Sequence, residues 1–463
     1  MLEKYHLLRR SFTEKPPSAL KGEGPYLYLD NGQKVIDSSG GAAVLSIGHG
    51  NKEVAQAMAD QASKICYVTP SNFTSEPAEE LASLIITEEY EKMGYSKVMF
   101  VNSGSEANEN AYKLVRQYFY EKGETQRTQW VGRDIAYHGN TILCLTMSGT
   151  AHRKAPFEDV LPYGNFHKVS TPHPAHLKLK NETDEEYSDR LLKQLDDKFQ
   201  ALGPETIMAV WFEPILGTSG GCDVPPKGYL KGVRSLCNKY GAMLVYDEVI
   251  CGSGRSGSTF FAWQQLIDEG DTYADIQPDI ITIGKALCGG YAPLSAVIMH
   301  EKFTQNFIST GKTFTSGHTF QSHIVSCAAA IVVQKYIRTN NLLENVTKQG
   351  KLLKSKLQEA IGDYKNVLDI RGLGLFYTIE LVKDKNTMEL YPMDYNFSSL
   401  AYNCILKYGV SVYPGRGSID GKKGYGFLVA PPFNVNEKII MEIVQGIKLG
   451  LKDAMEIAEK DLA

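Results

Sequence analysis

The chain is predicted to be an α/β protein: a large domain with a mostly parallel, seven-stranded-type sheet flanked by helices, followed by a smaller α+β domain. Two observations predict it. From about 52 to 330, amphipathic helical stretches alternate with brief apolar runs, the pattern of strands carrying helices on both faces. Beyond about 338 the order changes to helix, strand-like run, helix, and a long amphipathic end. The length of 463 residues is enough for a large core and a smaller one. The predicted division is 1–55 as an N-terminal segment joining the small domain, 56–330 as the large domain and 331–463 as the small C-terminal domain.

Residues 25–50 hold short strand-like pieces separated by Asn31-Gly32, a strong hairpin signal, and by Gly40-Gly41, so a small antiparallel element opens the fold. Helices are predicted over 53–64, 76–92, 106–121 and 228–240, and strands over 98–101, 207–212, 243–246 and 280–283. The stretch 173–197 is polar and charged and reads as a surface excursion. A helix near 326–338 precedes a further helix, a strand-like run at 373–381, another helix, and the amphipathic 436–458. No internal repeat or low-complexity tract interrupts this order.

Lys and Arg number 49 against 53 Asp and Glu, a formal charge of −4, and no long basic run occurs, so nucleic acid is not an expected partner. Cysteines at 66, 144, 222, 237, 251, 288, 327 and 404 lack a paired short spacing and read as reduced core thiols in a cytoplasmic protein, with an organelle matrix left open. No apolar stretch is long enough to span a bilayer, which argues against a membrane role. Leu7-Leu8-Arg9-Arg10 is similar to the start of a transit peptide, while Glu3 and Glu14 oppose that reading.

The run 280–283 leads to Gly284-Lys285-Ala286, and the run 243–246 ends at Asp247-Glu248-Val249. Burial at a strand end lowers the pKa of a lysine and frees a nucleophilic amine, which Schiff-base chemistry requires. An aspartate there needs a cation, and the protonated pyridine nitrogen of pyridoxal phosphate is one. A buried Lys/Asp ion pair is the alternative. Asn102-Ser103-Gly104-Ser105-Glu106-Ala107-Asn108 joins a strand to a helix, so its amides form either a phosphate cradle or a plain Ser103/Glu106 capping box. Tyr137-His138-Gly139 offers an aromatic face before a turn; alternatively, Tyr137 is core and His138 a satisfied polar residue.

Gly252-Ser253-Gly254-Arg255-Ser256-Gly257 has the spacing of a dinucleotide fingerprint but no helix signal after it, and reads as a loop. His173-Pro174-Ala175-His176 has the residue type of a metal pair, but the proline opposes helical spacing, so a surface loop and no metal are expected.

Taken in order, Asn102 to Asn108, Tyr137-His138-Gly139, Glu213-Pro214-Ile215, Asp247-Glu248-Val249, Gly284-Lys285-Ala286 with Gly289-Gly290, and Gly317-His318-Thr319-Phe320 resemble the class III pyridoxal-phosphate-dependent aminotransferases of fold type I, the omega-aminotransferase group. The resemblance runs from about Tyr26 to the end. It implies pyridoxal 5'-phosphate as cofactor, Lys285 as its Schiff-base partner and proton shuttle, and Asp247 as the group that keeps the pyridine nitrogen protonated. It further implies Gly104 and Ser105 at the phosphate, Tyr137 on one face of the ring and Val249 on the other, Glu213 orienting groups nearby, and Ser103 and His138 among the cofactor-binding residues. Thr319 would reach the phosphate of a neighbouring subunit, which implies a homodimer with composite sites.

The implied reaction is ping-pong transfer of an amino group from an ω-amine, β-amino acid or similar donor to a keto acid. Departures bear on the substrate: Ile250 stands where ornithine- and 4-aminobutyrate-type members carry Gln, Thr218 where they carry Glu, and no arginine precedes Ala430-Pro431-Pro432. Arg416 is then the candidate for the acceptor carboxylate, the alternative being an exposed turn arginine, while Arg371 reads as domain packing. A pyridoxal-phosphate-dependent aminomutase or racemase, and a non-catalytic cofactor-binding dimeric protein, are the other readings.

Overall fold

At Asn31-Gly32 the chain reverses, with Gly32 at φ +81, where a side chain would be strained. That turn joins the strands that follow β1 (Ala19–Glu23), namely β2 (Tyr26–Leu29) and β3 (Lys34–Asp37), all paired antiparallel. The computed structural model describes residues 6–9, 11 and 15–462. The transit-peptide reading therefore lies partly outside the described residues, Glu3, Arg10 and Glu14 included. No strand follows Gly40-Gly41 directly, contrary to expectation. The chain instead makes a short kinked turn over Gly40–Ala43, with Gly41 at φ +65.

Next come β4 (Tyr95–Val101), β5 (Gln129–Arg133), β6 (Phe166–Val169), β7 (Ile207–Phe212), β8 (Met243–Glu248), β9 (Ile280–Ile283) and β10 (Ser295–His300). They form one seven-stranded sheet in the order β4-β10-β9-β8-β7-β5-β6, parallel except at β10, which runs antiparallel to both neighbours. This is the α/β fold expected from the alternation of helical and apolar runs. Side chains alternate along β8: Met243 and Val245 enter the core shared with the helix Gly104–Glu121, while Leu244 and Tyr246 enter the core on the other face. By the same period Asp247 belongs to the face of that helix and Glu248 to the opposite face.

The remaining strands are β11 (Val367–Leu373), β12 (Phe376–Leu381), β13 (Val410–Ser411), β14 (Tyr413–Arg416) and β15 (Tyr425–Val429). A second sheet has the order β11-β12-β15-β14, and β13 joins β3 in parallel, tying the N-terminal strands to residues near 410. The expected single run at 373–381 is a hairpin in which Gly374 turns β11 into β12, and its left-handed φ of +58 explains the break. β13 and β14 escaped the sequence reading because they are short, β14 also because it carries Pro414 and Gly415, and β15 was not read either.

The predicted helix over 76–92 is two helices, Glu76–Ile85 and Glu88–Lys92, parted where Ile86 and Thr87 leave helical geometry. The predicted surface excursion at 173–197 is also corrected. Thr183 and Glu186 form a capping box that starts the helix Asp184–Leu202, which buries Leu191, Leu195 and Phe199. Among the described residues no helix is long and apolar enough to cross a membrane. All eight cysteines are free and seven are buried, but Cys66 is exposed and so is not the core thiol expected of it.

Candidate active site

Ligands in parallel α/β sheets collect at the carboxyl ends of the strands, where turns leave backbone groups unpaired. Here Asp247 pairs with Thr282 and Glu248 with Ile283, so the ends of β8 and β9 are level, and Lys285 follows two residues later. β10 is antiparallel to both β4 and β9, which brings the end of β4 to the same edge. Glu213 follows β7 and Tyr137 lies just beyond β5. One edge thus gathers residues that are far apart in sequence.

Lys285 has φ +43, a left-handed conformation that costs a non-glycine residue on the order of 1 kcal/mol and persists where the surroundings over-determine it. Burial pushes its amine down to about 8, even though Asp247 and Glu213 act to raise it. Glu213 is buried and accepts the amides of Tyr137 at 3.0 Å and Gly217 at 2.9 Å. Burial, and next the charge of Asp247, push its carboxyl up to about 8, so it holds a proton at neutral pH.

Three donors fix Asp247: Nδ1 of His138 at 2.8 Å and Nδ2 of Asn108 at 2.8 Å on Oδ2, and the amide of Val249 at 3.0 Å on Oδ1. Burial lowers the pKa of His138, which keeps the ring neutral with its proton on Nδ1 toward the carboxylate. Asn108 also donates to the carbonyl of His138 at 2.6 Å and accepts from Thr282 at 2.8 Å. It sits one helical turn from Gly104, on the face toward β8, and the spacing Gly104-x-x-x-Asn108 was the signal that could have found it.

Gly104 and Ser105 open the helix Gly104–Glu121, so their amides have no carbonyl one turn back. Added Cβ atoms would close this corner: at Gly104 one would lie 2.6 Å from Cγ1 of Val249, and at Gly139, with φ +138, one would strike Oγ of Ser105. Ser103 caps the helix by accepting the amide of Glu106 at 3.2 Å. The reciprocal half of the expected capping box is shifted, because Glu106 accepts the amide of Asn102, one residue before the cap.

A cavity of about 930 Å³ connects these groups. Its lining includes Gly104, Ser105, Tyr137, His138, Glu213, Asp247, Val249, Lys285 and Arg416. Ser103 and Thr319 are not part of that lining; both are exposed, Ser103 at the helix cap and Thr319 on the segment before the helix Ile324–Thr339. Arg416 ends β14 opposite Tyr425 and is not in the glycine-rich turn that follows. The lining also holds His152 and Arg153, which nothing in the sequence pattern marked. The Arg153 guanidinium lies 5.2 Å from the centre of the Tyr137 ring.

The glycine-patterned segment 252–257 is the loop expected, but Arg255 within it is fully buried. Its guanidinium donates to the carbonyls of Pro431 at 2.6 Å, Leu45 at 2.7 Å and Ala430 at 3.2 Å. Arg371 packs as expected, outside the cavity, with Glu380 at 2.6 Å and Asp223 at 2.9 Å.

A family model described as aminotransferase class-III matches residues 12–445. An uncharacterized aminotransferase of Schizosaccharomyces pombe is 40% identical over 445 residues, which cover 96% of this chain and 94% of the relative. A taurine–pyruvate aminotransferase of Bilophila wadsworthia is 33% identical over 450 residues, 96% of this chain and 94% of that one. The crystal structure of an omega transaminase from Pseudomonas jessenii in complex with PMP superposes with a TM-score of 0.88 at 30% identity, covering 98% of this chain and 97% of that one.

Proposed function

Because the chain belongs to the class-III aminotransferase family, we propose that its cavity takes pyridoxal 5'-phosphate and moves an amino group from an ω-amine, β-amino acid or similar donor to a keto acid by a ping-pong route. A single observation carries this reading: a buried lysine with its pKa near 8 shares one cavity with a triply hydrogen-bonded carboxylate and an open helix N-terminus. The residues fit the group. Free amides at Gly104 and Ser105 suit a phosphate, Asp247 suits a protonated ring nitrogen, and Lys285 suits an aldehyde. When bound, the cofactor supplies a carbonyl that condenses with amines and a ring that withdraws electrons from the carbon losing its proton.

The chain's own residues supply the rest. With its pKa near 8, about a tenth of Lys285 is neutral at pH 7, so Nζ can act as a base that takes the proton from the donor carbon and hands it on within the same half-reaction, and can deliver a proton to the keto-acid carbon in the reverse half-reaction. Asn108, His138 and the Val249 amide hold Asp247 in one orientation. Glu213, kept protonated, adds no negative charge against a substrate carboxylate. Arg416 and Arg153 in the cavity lining, the latter beside the Tyr137 ring, support a keto acid as acceptor. Val249, which lines the cavity and packs against Gly104, is assigned to the ring face opposite Tyr137.

A homodimer is part of the proposal. Tyr67, Phe73 and Phe320 are exposed, and Tyr67 and Phe320 meet edge to face at 6.0 Å beside Thr319. Such aromatic exposure suits a covered face on which Thr319 of the partner subunit completes the phosphate site. Absorbance of the purified holoenzyme tests the reaction. A donor amine added without acceptor should convert the cofactor band near the visible edge in one turnover, with release of a carbonyl product, and a keto acid should restore it. A band that no ω-amine, β-amino acid or α-amino acid converts would overturn the transaminase reading.

A further inference from the structure

We propose that His173, His176 and Glu380 form a binding site for a divalent cation of the zinc type, set at the seam between the central sheet and the β11-β12-β15-β14 sheet. One ligand atom from each of the three lies within 4.8 Å of the other two. The proposal stands on side chains outside the cavity described above and does not depend on the reading of that cavity.

The His-x-x-His pair takes a form that its proline did not suggest. Pro174 occupies the first position of the short helix Pro174–Leu177, where a missing amide hydrogen costs nothing. His173 becomes the cap and His176 lies one turn on, so the two rings stand 4.6 Å apart between centroids. Both are buried side chains, and the surface-loop expectation for them is overturned.

His173 is fully buried, its Nδ1 donates to Asp223, and its Nε2 has no hydrogen-bond partner among the described residues. A neutral imidazole whose Nδ1–H is held by a carboxylate presents a lone pair at Nε2, the arrangement that orients histidine ligands in metal sites. His176 Nε2 lies 2.8 Å from Oε1 of Glu380, an oxygen that also accepts the hydroxyl of Ser418 at 3.1 Å. Arg371 binds the other oxygen of Glu380 at 2.6 Å, leaving the Oε1 side to the histidines.

Charge favours a cation here. Asp223 and Glu380 are two buried carboxylates that share one guanidinium, Arg371. A further positive charge between the histidines and Oε1 would offset the remainder. Two imidazoles and one carboxylate with a fourth position for water make a common zinc set. Ligand bonds of about 2.0–2.1 Å place tetrahedral ligand atoms about 3.3 Å apart, so the His176–Glu380 contact must open by about 0.5 Å. Glu380 lies on β12 and Ser418 just past β14, so an ion here would clasp the segment 173–176 to the sheet that carries Arg416.

The test uses holoenzyme stripped with a chelator and then titrated with Co²⁺. One equivalent per chain, with visible bands of a low-coordinate cobalt ion that Zn²⁺ displaces, is the expected result. His176→Gln should weaken binding about 100-fold while leaving the amine half-reaction intact. X-ray absorption on the wild-type zinc form, which needs no variant, should report two imidazoles and one carboxylate oxygen. No uptake at millimolar Co²⁺, equal uptake by His176→Gln, or an absorption spectrum without two imidazoles would each overturn the site.

Discussion

At the scale of single residues, the proposed chemistry turns on Lys285 and Asp247. Lys285→Ala is expected to lower the rate of the amine half-reaction by about 10³-fold or more, since it removes the base, and single-turnover absorbance would read this directly. Asp247→Asn should slow the same step while the protein keeps its cofactor, because Asn can still accept the Val249 amide; a variant with the wild-type rate would remove Asp247 from the mechanism. Burial also makes the cofactor-free protein sensitive to pH. From 4.5 to about 8, folded Glu213 keeps a proton that the unfolded chain has lost, so stability falls as pH rises through that window. Glu248, also raised to about 8 by burial, acts in the same direction. Lys285 opposes them above about 8, where the unfolded lysine still binds the proton that the folded one has released. Melting temperatures of the apoprotein across pH 5–8 should decline, and Glu213→Gln should flatten the decline; identical slopes for both proteins would refute its assignment.

At the scale of elements, the helix Gly104–Glu121 separates two roles that the sequence left merged. The hydroxyl of Ser103 is spent on the helix, so Ser103→Ala should cost about 1 kcal/mol of stability with little change in cofactor affinity, measurable by denaturation and by cofactor titration. Gly104→Ala should lower cofactor affinity, since its Cβ would press on Val249 at 2.6 Å and shift the cavity wall. The legibility of this region follows from its chemistry. Lys285 and Asp247 lie at the ends of apolar strand runs, and the helix opening lies where a strand pattern gives way to a helical one, features that a sequence displays openly. Asn108 stood in the motif, but its role was not readable because its partners come from three other segments of the chain. Short strands such as β13 and β14 have too few residues to show a period, so the placement of Arg416 on a strand was not readable. We propose it as the acceptor's carboxylate clamp, and Arg416→Ala should raise KM for keto acids about tenfold or more with kcat less affected.

At the scale of the whole molecule, Arg255 joins regions distant in sequence by donating to carbonyls at Leu45, Ala430 and Pro431. Burial pushes its guanidinium down to about 9 while the charge of Asp37 acts to raise it, so it stays a cation at neutral pH and those carbonyls accept its hydrogens. Arg255→Met is expected to cost about 3 kcal/mol or more, through buried carbonyls left without a donor, as judged by chemical denaturation. We propose that the division at 1–55, 56–330 and 331–463 describes the folding units, supported by the pairing of β3 with β13. Light scattering should report a dimer, and Phe320→Glu should shift it toward monomer.

The sequence by itself determined the α/β class, the family and the residues at the strand ends, because alternating hydrophobicity and turn chemistry are local properties of a chain. Only the tertiary structure decided which side chains share an oxygen or a cavity. It buried His173 and His176, which read as a polar loop, beside carboxylates more than 40 residues away. It also enclosed Arg255 among backbone carbonyls, and set Asn108 between Asp247 and His138. Such partnerships depend on strand order and register, and no period within any single segment encodes them.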